Sequence, residues 1–438
     1  MDFELLARNS KAGVALALLC AASMWFYVDR VLIPYQRSDA EAHSRPRGNL
    51  SDLYPRWLGA RELLLHHRNP YSPEITREIQ RGYYGRELDP SRPHDPIDQQ
   101  AFAYPAYVAF LLAPSVAFPF EAVRVGFQWT LLAITAAGVW LWLRAIGWRP
   151  KPATLTMVGL LALGSFPVVQ GLKLQQLTLF VAFLVALSAA LLVRERLFLA
   201  GFVLAIATIK PQLVAPLLLC LLLWTASNWA QRQRFFWGFA LTTAALLAAS
   251  ELVLPGWIGD FRFALRDYRR YAGGQSLLEK FLAPGVGQMA SVAVLGILLG
   301  MCWRFRKAQA QSREFQCMLA TVLAITLIVI PMFAPYNQVL LLPAILLIVR
   351  QGHELWHRDL LSKAACSLTM AVVGWPWLAS LALTIASLRF GPVGVERGWT
   401  IPLYTSLAIP FVVLVPLGSL VHEAWQNRAD RSALAKAG

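Results

Sequence analysis

The chain has 438 residues, of which 57% are hydrophobic and 15% are charged, and its formal net charge is +15. This composition is too apolar for a soluble domain of this length, and its apolar residues come in repeated runs near the roughly 20 residues that cross a bilayer. The positive charge sits mostly in loops between these runs, where it orients a membrane protein, so we expect a lipid bilayer and no nucleic acid as partner. We predict an all-α polytopic membrane protein with a single domain, residues 1–438.

The first apolar run predicts a membrane span over residues 11–32, which we interpret as an uncleaved anchor. A polar segment rich in Arg, Pro and Asp follows over residues 34–100 and predicts a long first outer loop. A transmembrane module over residues 101–225 and further spans and outer loops over residues 226–438 complete the chain. Three prolines in residues 102–120 favour partial insertion of that segment over full crossing, which gives about twelve spans.

The apolar run over residues 197–224 has basic clusters on both sides, so both of its ends should be cytoplasmic. It therefore predicts a hairpin of two short helices, with Lys210 at the outer turn and Pro211 starting the second helix. The same reasoning places both termini in the cytoplasm and gathers the polar loops outside. The Ala- and Leu-rich composition, with Arg in excess of Lys, is typical of a GC-rich bacterium and hence of an inner membrane protein.

A helix is predicted from about Leu53, with Leu53, Trp57, Ala60 and Leu64 sharing one face. Such an apolar stripe beside a span favours a helix lying in the membrane interface, with Asp52 held at the boundary between water and lipid. Asp52 is also a good N-cap for this helix, and the sequence leaves both interpretations open.

Two lysines, Lys173 and Lys210, lie near the ends of otherwise apolar runs, where a cation is costly and usually has a partner or a role. They either reach the outer headgroups or bind a lipid phosphate. The outer loop over residues 260–274 predicts an amphipathic helix, which either rests on anionic lipid or presents guanidinium groups to phosphate. Its two faces are Arg262, Arg266, Arg269 and Gly273 on one side, and Phe261, Leu265 and Tyr268 on the other.

Five further acids of the first loop lie among Pro, Gly and Arg, and we interpret them as a solvated surface. They are Glu74, Glu78, Asp89, Asp95 and Asp98. The sequence has no tight carboxylate or histidine cluster and no nucleotide-binding signature, so we expect no metal and no cofactor. The five cysteines lie in or beside apolar runs and are expected to act as small hydrophobic residues.

Several short motifs occur in a fixed order over residues 50–215. They are Asp52 with WLGAR at 57–61, NPY at 69–71, FAYP at 102–105, QGLKLQQL at 170–177 and IKP at 209–211. This arrangement is similar to that of the GT-C glycosyltransferases and resembles family 87, the mannosyl- and arabinofuranosyltransferase-type proteins that use polyprenyl-phosphate sugars. Ala106 departs from a frequent second Pro. Asn337 stands where many relatives have an acid or His, so no second acid or base is implied there.

The resemblance implies an inverting, metal-independent transfer of a sugar, with mannose favoured, from a polyprenyl-phosphate donor to a lipid or glycan acceptor. The active site would be extracytoplasmic, in a GT-C-type bundle that serves glycolipid biosynthesis in the cell envelope. Asp52 would be the general base, with Lys210, Lys173 and Arg269 as phosphate ligands in that order of preference. Further substrate-binding candidates are Arg266, Gln175, Trp57, Tyr104 and Asn337. The alternatives are a flippase for a lipid-linked sugar and a scaffold without catalysis.

Overall fold

The computed structural model describes residues 10–42, 51–89, 91–272, 274–331, 334–395, 398 and 400–437. Within these ranges all regular secondary structure is helical, as the apolar runs predict. The α-helices are α1 (Ser10–Phe26), α2 (Ile33–Ala42), α3 (Tyr54–His66), α4 (Pro73–Tyr84), α5 (Val108–Leu112), α6 (Phe120–Ala145), α7 (Pro152–Leu163), α8 (Phe166–Lys173), α9 (Leu177–Val193), α10 (Leu197–Ala207), α11 (Pro211–Ala226), α12 (Trp229–Val253), α13 (Trp257–Ala272), α14 (Leu277–Phe281), α15 (Pro284–Phe305), α16 (Arg313–Val329), α17 (Leu342–Arg350), α18 (Gly352–Arg358), α19 (Leu360–Gly394), α20 (Ile401–Thr405) and α21 (Ile409–Ala437).

Six helices of the described ranges are long and apolar enough to cross a membrane, and two bent helix pairs raise this number to eight. The six are Ser10–Ala42, Phe120–Ala145, Trp229–Val253, Pro284–Phe305, Leu360–Gly391 and Ile401–Gln426. The chain is therefore a multi-pass membrane protein. The total of about twelve also needs the shorter apolar helices α9, α10 and α11, with 17, 11 and 16 residues, and it stays a prediction.

The first helix is longer than the predicted span over residues 11–32. It runs from Ser10 to Ala42, and its middle is a π-helical turn over Tyr27–Leu32. The turn ends two residues before Pro34, which lacks the N–H that a regular α-helix uses at that point. The start of the predicted outer loop is therefore helical.

The proline-rich segment over residues 102–120 contains only a short helix, α5, followed by a 3₁₀ turn over Ala113–Ser115. Five residues of helix span about 8 Å, far short of a bilayer. Proline lacks the N–H that continues a helix, and Pro105 and Pro114 lie on either side of α5. The segment does not cross a membrane as one helix.

The helix predicted from Leu53 is α3, and Leu53, Trp57 and Ala60 are buried as their spacing indicates. Their face does not lie free against lipid, because it packs against Leu112 of α5 and Phe120 at the start of α6. Protein side chains cover the stripe that led us to expect an interfacial helix. The contact instead fixes α3, and with it Asp52, against the transmembrane helices.

The NPY and FAYP motifs hold each other in place. The Tyr71 hydroxyl donates a hydrogen bond to the Tyr104 carbonyl at 2.6 Å, and the Tyr71 ring meets the Phe102 ring edge-on at 5.2 Å. The Asn69 side chain donates to Asp260 of α13 at 2.8 Å. These contacts tie the first loop, the segment before α5 and helix α13 into one wall.

The turn between α10 and α11 forms as predicted. Helix α10 ends at Ala207, Lys210 precedes the next helix, and Pro211 is the first residue of α11. Helix α10 packs closely on α12, because a Cβ at Gly201 would lie 2.1 Å from the Phe235 carbonyl oxygen. Small residues allow two helix backbones this approach, which anchors the helix that leads into Lys210.

Candidate active site

Asp52 lies in the turn before α3, and its carboxylate does not cap that helix. The N-cap residue is Leu53, and it makes no side-chain capping bond. The backbone N–H of Asp52 donates to the Leu174 carbonyl at 2.9 Å, and Arg56 donates to the Asp52 carbonyl oxygen at 2.7 Å. Both backbone groups are thus fixed, and the side chain is directed elsewhere. The structure excludes the N-cap interpretation of Asp52.

The Asp52 carboxylate accepts a hydrogen bond from the side-chain amide of Gln176. Gln176 directly precedes α9, and its amide oxygen accepts from Lys210 Nζ at 2.8 Å. Both Gln176 and Lys210 are buried. One amide therefore joins the carboxylate to the ammonium group and keeps the two from pairing directly.

Lys210 has further uncharged partners. Its Nζ donates to the Thr178 hydroxyl at 2.7 Å and lies 5.7 Å and 5.4 Å from the centres of the Tyr104 and Tyr336 rings. Thr178 in turn donates to the Asn337 side-chain oxygen at 3.1 Å. Aromatic faces and hydroxyl groups stabilise an ammonium group without neutralising it. Burial and the positive charge of Arg56 lower the pKa of Lys210 to about 7, so a bound anion would favour its ammonium form.

Apart from Thr178, these side chains line one wall of a cavity of about 450 Å³. Helix α13 provides another wall with Phe261, Leu265, Tyr268 and Arg269, which is the apolar face predicted for this helix together with its neighbouring arginine. The cavity lining includes the cations Arg56, Lys210 and Arg269 and the acids Asp52 and Asp98. An excess of positive charge around a carboxylate suits a phosphate-bearing ligand next to a proton acceptor.

Burial raises the pKa of Asp52 above its usual range, while the positive charge of Arg56 opposes this rise. A raised pKa makes the carboxylate a stronger proton acceptor than an exposed aspartate, provided that the pH keeps it ionised. The position between Arg56 and the bridge to Lys210 favours the ionised form. The geometry and the charge of Asp52 both fit a general base.

The structure brings five of the nine sequence-predicted residues to the cavity and leaves four elsewhere. Those at the cavity are Asp52, Tyr104, Lys210, Arg269 and Asn337. Those outside its lining are Lys173, Gln175, Trp57 and Arg266.

Each of these four has different surroundings. Lys173 donates to Asp29 of the first helix at 2.7 Å, and Gln175 is buried with its amide on the Leu172 carbonyl at 2.9 Å. The Trp57 indole donates to the Ser115 carbonyl at 3.2 Å. Arg266 is on the exposed side of α13, and Gly273 of the predicted arginine face lies outside the described residues.

Several polar residues of the cavity lining were not selected from the sequence. They include Arg56, Gln176 and Asp98, as well as Gln100, Gln212 and Tyr336. Gln176 belongs to the QGLKLQQL motif, and a polar pair inside an otherwise apolar run was the available signal for it, whereas Arg56 lies between Asp52 and the WLGAR motif. Asp98 had been assigned to the solvated loop, and its place in the cavity lining corrects that interpretation.

The bundle of apolar helices with a cavity of this chemistry is typical of a GT-C-type membrane glycosyltransferase. The family model of glycosyltransferase family 87 matches residues 102–331. This is more than half of the chain, which therefore belongs to glycosyltransferase family 87. A comparison with curated proteins found no match.

The matched region includes Gln176, Lys210 and Arg269, whereas Asp52 precedes it by fifty residues. The motif resemblance covered residues 50–215, so the two ranges overlap only in part. The hydrogen bond from Gln176 to Asp52 connects the first loop to the family region.

Proposed function

We propose that this protein transfers a sugar from a polyprenyl-phosphate donor to a hydroxyl group of a lipid or glycan acceptor, with Asp52 as the general base. The observation that carries the proposal is the bridge from Asp52 through Gln176 to Lys210 at one cavity. It provides a proton acceptor near a lysine whose hydrogen bonds in the described part of the chain go to an amide and a hydroxyl. Transfer from a lipid-linked phosphate needs both groups.

In the proposed reaction the acceptor oxygen attacks the anomeric carbon of the donor sugar. A bond forms between these two atoms, and the bond from the anomeric carbon to the phosphate oxygen breaks. The hydroxyl proton passes to the Asp52 carboxylate, and the electron pair of the broken bond leaves with the polyprenyl phosphate. A single displacement of this kind inverts the anomeric configuration.

The growing charge on the phosphate would be stabilised by Lys210, with Arg56 and Arg269 as further cations of the cavity. Since these groups can neutralise the leaving phosphate, we propose a transfer that needs neither metal nor cofactor. Lys173 is a weaker candidate for this task than the sequence indicates, because its ammonium group is paired with Asp29. Mannose is the favoured sugar on the basis of the family resemblance.

We further propose that the cavity opens at the extracytoplasmic face of a bacterial inner membrane, with both termini in the cytoplasm. The distribution of Lys and Arg supports this orientation, because the short loops assigned to the cytoplasm carry clusters of these residues. About twelve spans, including the shorter helices α9, α10 and α11, remain part of this proposal.

A transfer assay in proteoliposomes tests the proposed function. Wild-type protein receives radiolabelled polyprenyl-phosphate mannose and a crude lipid acceptor fraction, and the products are separated by thin-layer chromatography. We expect the label to appear in a new glycolipid. Label that crosses the membrane on an unchanged donor would contradict the proposal and favour the flippase. Transfer only from polyprenyl-phosphate arabinofuranose would correct the sugar and keep the reaction.

A further inference from the structure

The acidic residues between positions 51 and 100 fall into two groups. Six of the eight form ion pairs with arginine, namely Glu62, Glu74, Glu78, Glu87, Asp89 and Asp95. Asp52 and Asp98 are the two acids of this segment without such a pair in the described ranges, and both line the cavity. The six acids that pair with arginine are accounted for as parts of a folded surface. Asp98 has no such ion pair in the described ranges, so its place in the cavity needs another reason.

The loop that carries Asp98 is held rigidly by helix α4. The Tyr84 hydroxyl donates to the Asp98 carbonyl at 2.8 Å, and the Gln80 amide donates to the Gln99 side chain at 2.8 Å. Gln100 has a φ of 53°, a conformation that residues other than glycine seldom adopt. Such a conformation persists where the surrounding structure enforces it, as at a preorganised binding site.

The Asp98 carboxylate has bonding capacity left over. One oxygen accepts from the Gln100 backbone N–H at 3.0 Å, and the other accepts from the Gln100 side-chain amide at 2.7 Å. Each carboxylate oxygen can accept about two hydrogen bonds, so each retains a site for a donor. Because burial raises the pKa of Asp98, hydroxyl donors from a ligand would relieve the cost of its charge.

We propose that Asp98 binds hydroxyl groups of a sugar ring in the cavity, as a substrate-binding residue separate from the base. The ring belongs either to the donor sugar or to a sugar of the acceptor, and both present the same hydroxyl chemistry. Tyr268 and Arg56 line the same cavity and would bound this subsite. The inference rests on the proposed function, since it names the group that the cavity recognises.

Asp98 lies outside the family match over residues 102–331. The proposed role is recognition, so loss of Asp98 should weaken sugar binding and affect kcat less than KM.

Binding measurements on the full-length protein in detergent test this role without depending on turnover. Isothermal titration uses three probes: polyprenyl phosphate without sugar, polyprenyl-phosphate mannose, and octyl mannoside. We expect Asp98→Asn to weaken one of the two mannose-bearing probes by about ten-fold or more, the effect of losing hydrogen bonds to a charged group. Loss with polyprenyl-phosphate mannose identifies the donor sugar, and loss with octyl mannoside identifies the acceptor sugar.

Matched variants separate recognition from loop structure. Asp89→Asn changes an acid of the same loop that pairs with Arg92, and it should bind every probe like the wild type. Tyr84→Phe removes the hydroxyl on the Asp98 carbonyl but keeps the carboxylate, and it should bind within about three-fold of the wild type. Asp98→Glu, which displaces the charge by one methylene, provides a second variant in case Asp98→Asn fails to fold.

Unchanged binding of both mannose probes by the Asp98 variants would overturn the inference. An equal loss with sugar-free polyprenyl phosphate, or an equal loss in Tyr84→Phe, would also overturn it, because the effect would then be structural. The transfer assay on the wild type separates the two proposals. If the wild type shows no transfer but the Asp98 variants still weaken mannose binding, only the proposed function is contradicted.

Discussion

Lys210 and Lys173 are each an ammonium group at the end of an apolar helix, but their surroundings differ. Lys173 Nζ lies 2.7 Å from an Asp29 carboxylate oxygen and 5.3 Å from the centre of the Trp25 ring. Lys210 is 6% exposed and donates to an amide and a hydroxyl instead. A buried cation without a carboxylate is costly, and such a cost persists where a ligand uses the charge. The two lysines differ more in their hydrogen-bond and ion-pair partners than in their positions in the helices.

Replacement of each lysine by methionine tests this difference most strongly. Lys210→Met should lower the transfer rate by about 100-fold or more, because it removes a positioned cation from the leaving phosphate. Lys173→Met should change the rate by less than about five-fold, because its partly exposed ion pair is worth at most about 1 kcal/mol. Initial rates at saturating acceptor provide the measurement. Equal losses in the two variants would refute the assignment of the phosphate cation.

The bridge residue allows a finer comparison within the Lys210 surroundings. Gln176→Leu removes the hydrogen bonds to Asp52 and Lys210 together, and we expect kcat/KM to fall by about 30-fold. Thr178→Val removes only the hydroxyl partner of Lys210, so it should cost about five-fold. Steady-state kinetics with varied donor measure both effects. If Thr178→Val lowered kcat/KM as much as Gln176→Leu does, the hydrogen bond from Gln176 to Asp52 would contribute nothing to the rate.

The pH dependence of transfer depends on the ionisation of Asp52. Its carboxylate form is the base, so kcat/KM should fall ten-fold per pH unit once the pH drops below the pKa of Asp52. Because burial raises this pKa, the fall should begin above the value of about 3.9 for an exposed aspartate. Arg56→Gln removes a positive charge that lowers the pKa, and its acid limb should move to higher pH. If the acid limb of Arg56→Gln stays at the wild-type pH, Asp52 is not the group whose ionisation produces that limb.

The smallest expected effect comes from the packing of Gly59 against Phe102 of the FAYP motif. A Cβ at Gly59 would lie 2.3 Å from the Phe102 ring, whereas a Cβ at Gly126 of α6 would meet no atom within 4 Å. Gly59→Ala should therefore lower stability by about 1–3 kcal/mol through overpacking. Gly126→Ala should be neutral or slightly stabilising. Thermal unfolding midpoints in detergent measure the two, and a Gly59→Ala midpoint equal to that of the wild type would contradict the packing.

The elements that local patterns control could be predicted from the sequence. Periodicity indicated α3 and the amphipathic helix α13, and the Lys210–Pro211 pair indicated where α11 begins. Each of these depends on residues within a few turns of one another. The extension of the first helix to Ala42 was missed, because residues 34–42 belong to the polar segment that was assigned to the outer loop, whereas the helix continues through a π-helical turn.

The network of the site depends on contacts that no local pattern contains. Gln176 and Asp52 are 124 positions apart in the chain, and the sequence does not reveal which of two adjacent glutamines faces the cavity. The structure directs Gln176 to Asp52 and Gln175 to backbone carbonyls of its own turn. Asp98 illustrates the same limit, since the sequence assigned it to a solvated loop and the structure places it in the cavity lining.

The most direct test of the account compares Asp52→Asn with Asp89→Asn in the transfer assay. Asparagine keeps the shape of Asp52 but cannot accept the hydroxyl proton, so we predict a loss of about 10²–10⁴-fold or more in kcat, with donor binding retained. Asp89→Asn changes an ion-paired acid of the same loop and should keep the wild-type rate. Transfer by Asp52→Asn at the wild-type rate would contradict the central claim that Asp52 is the base.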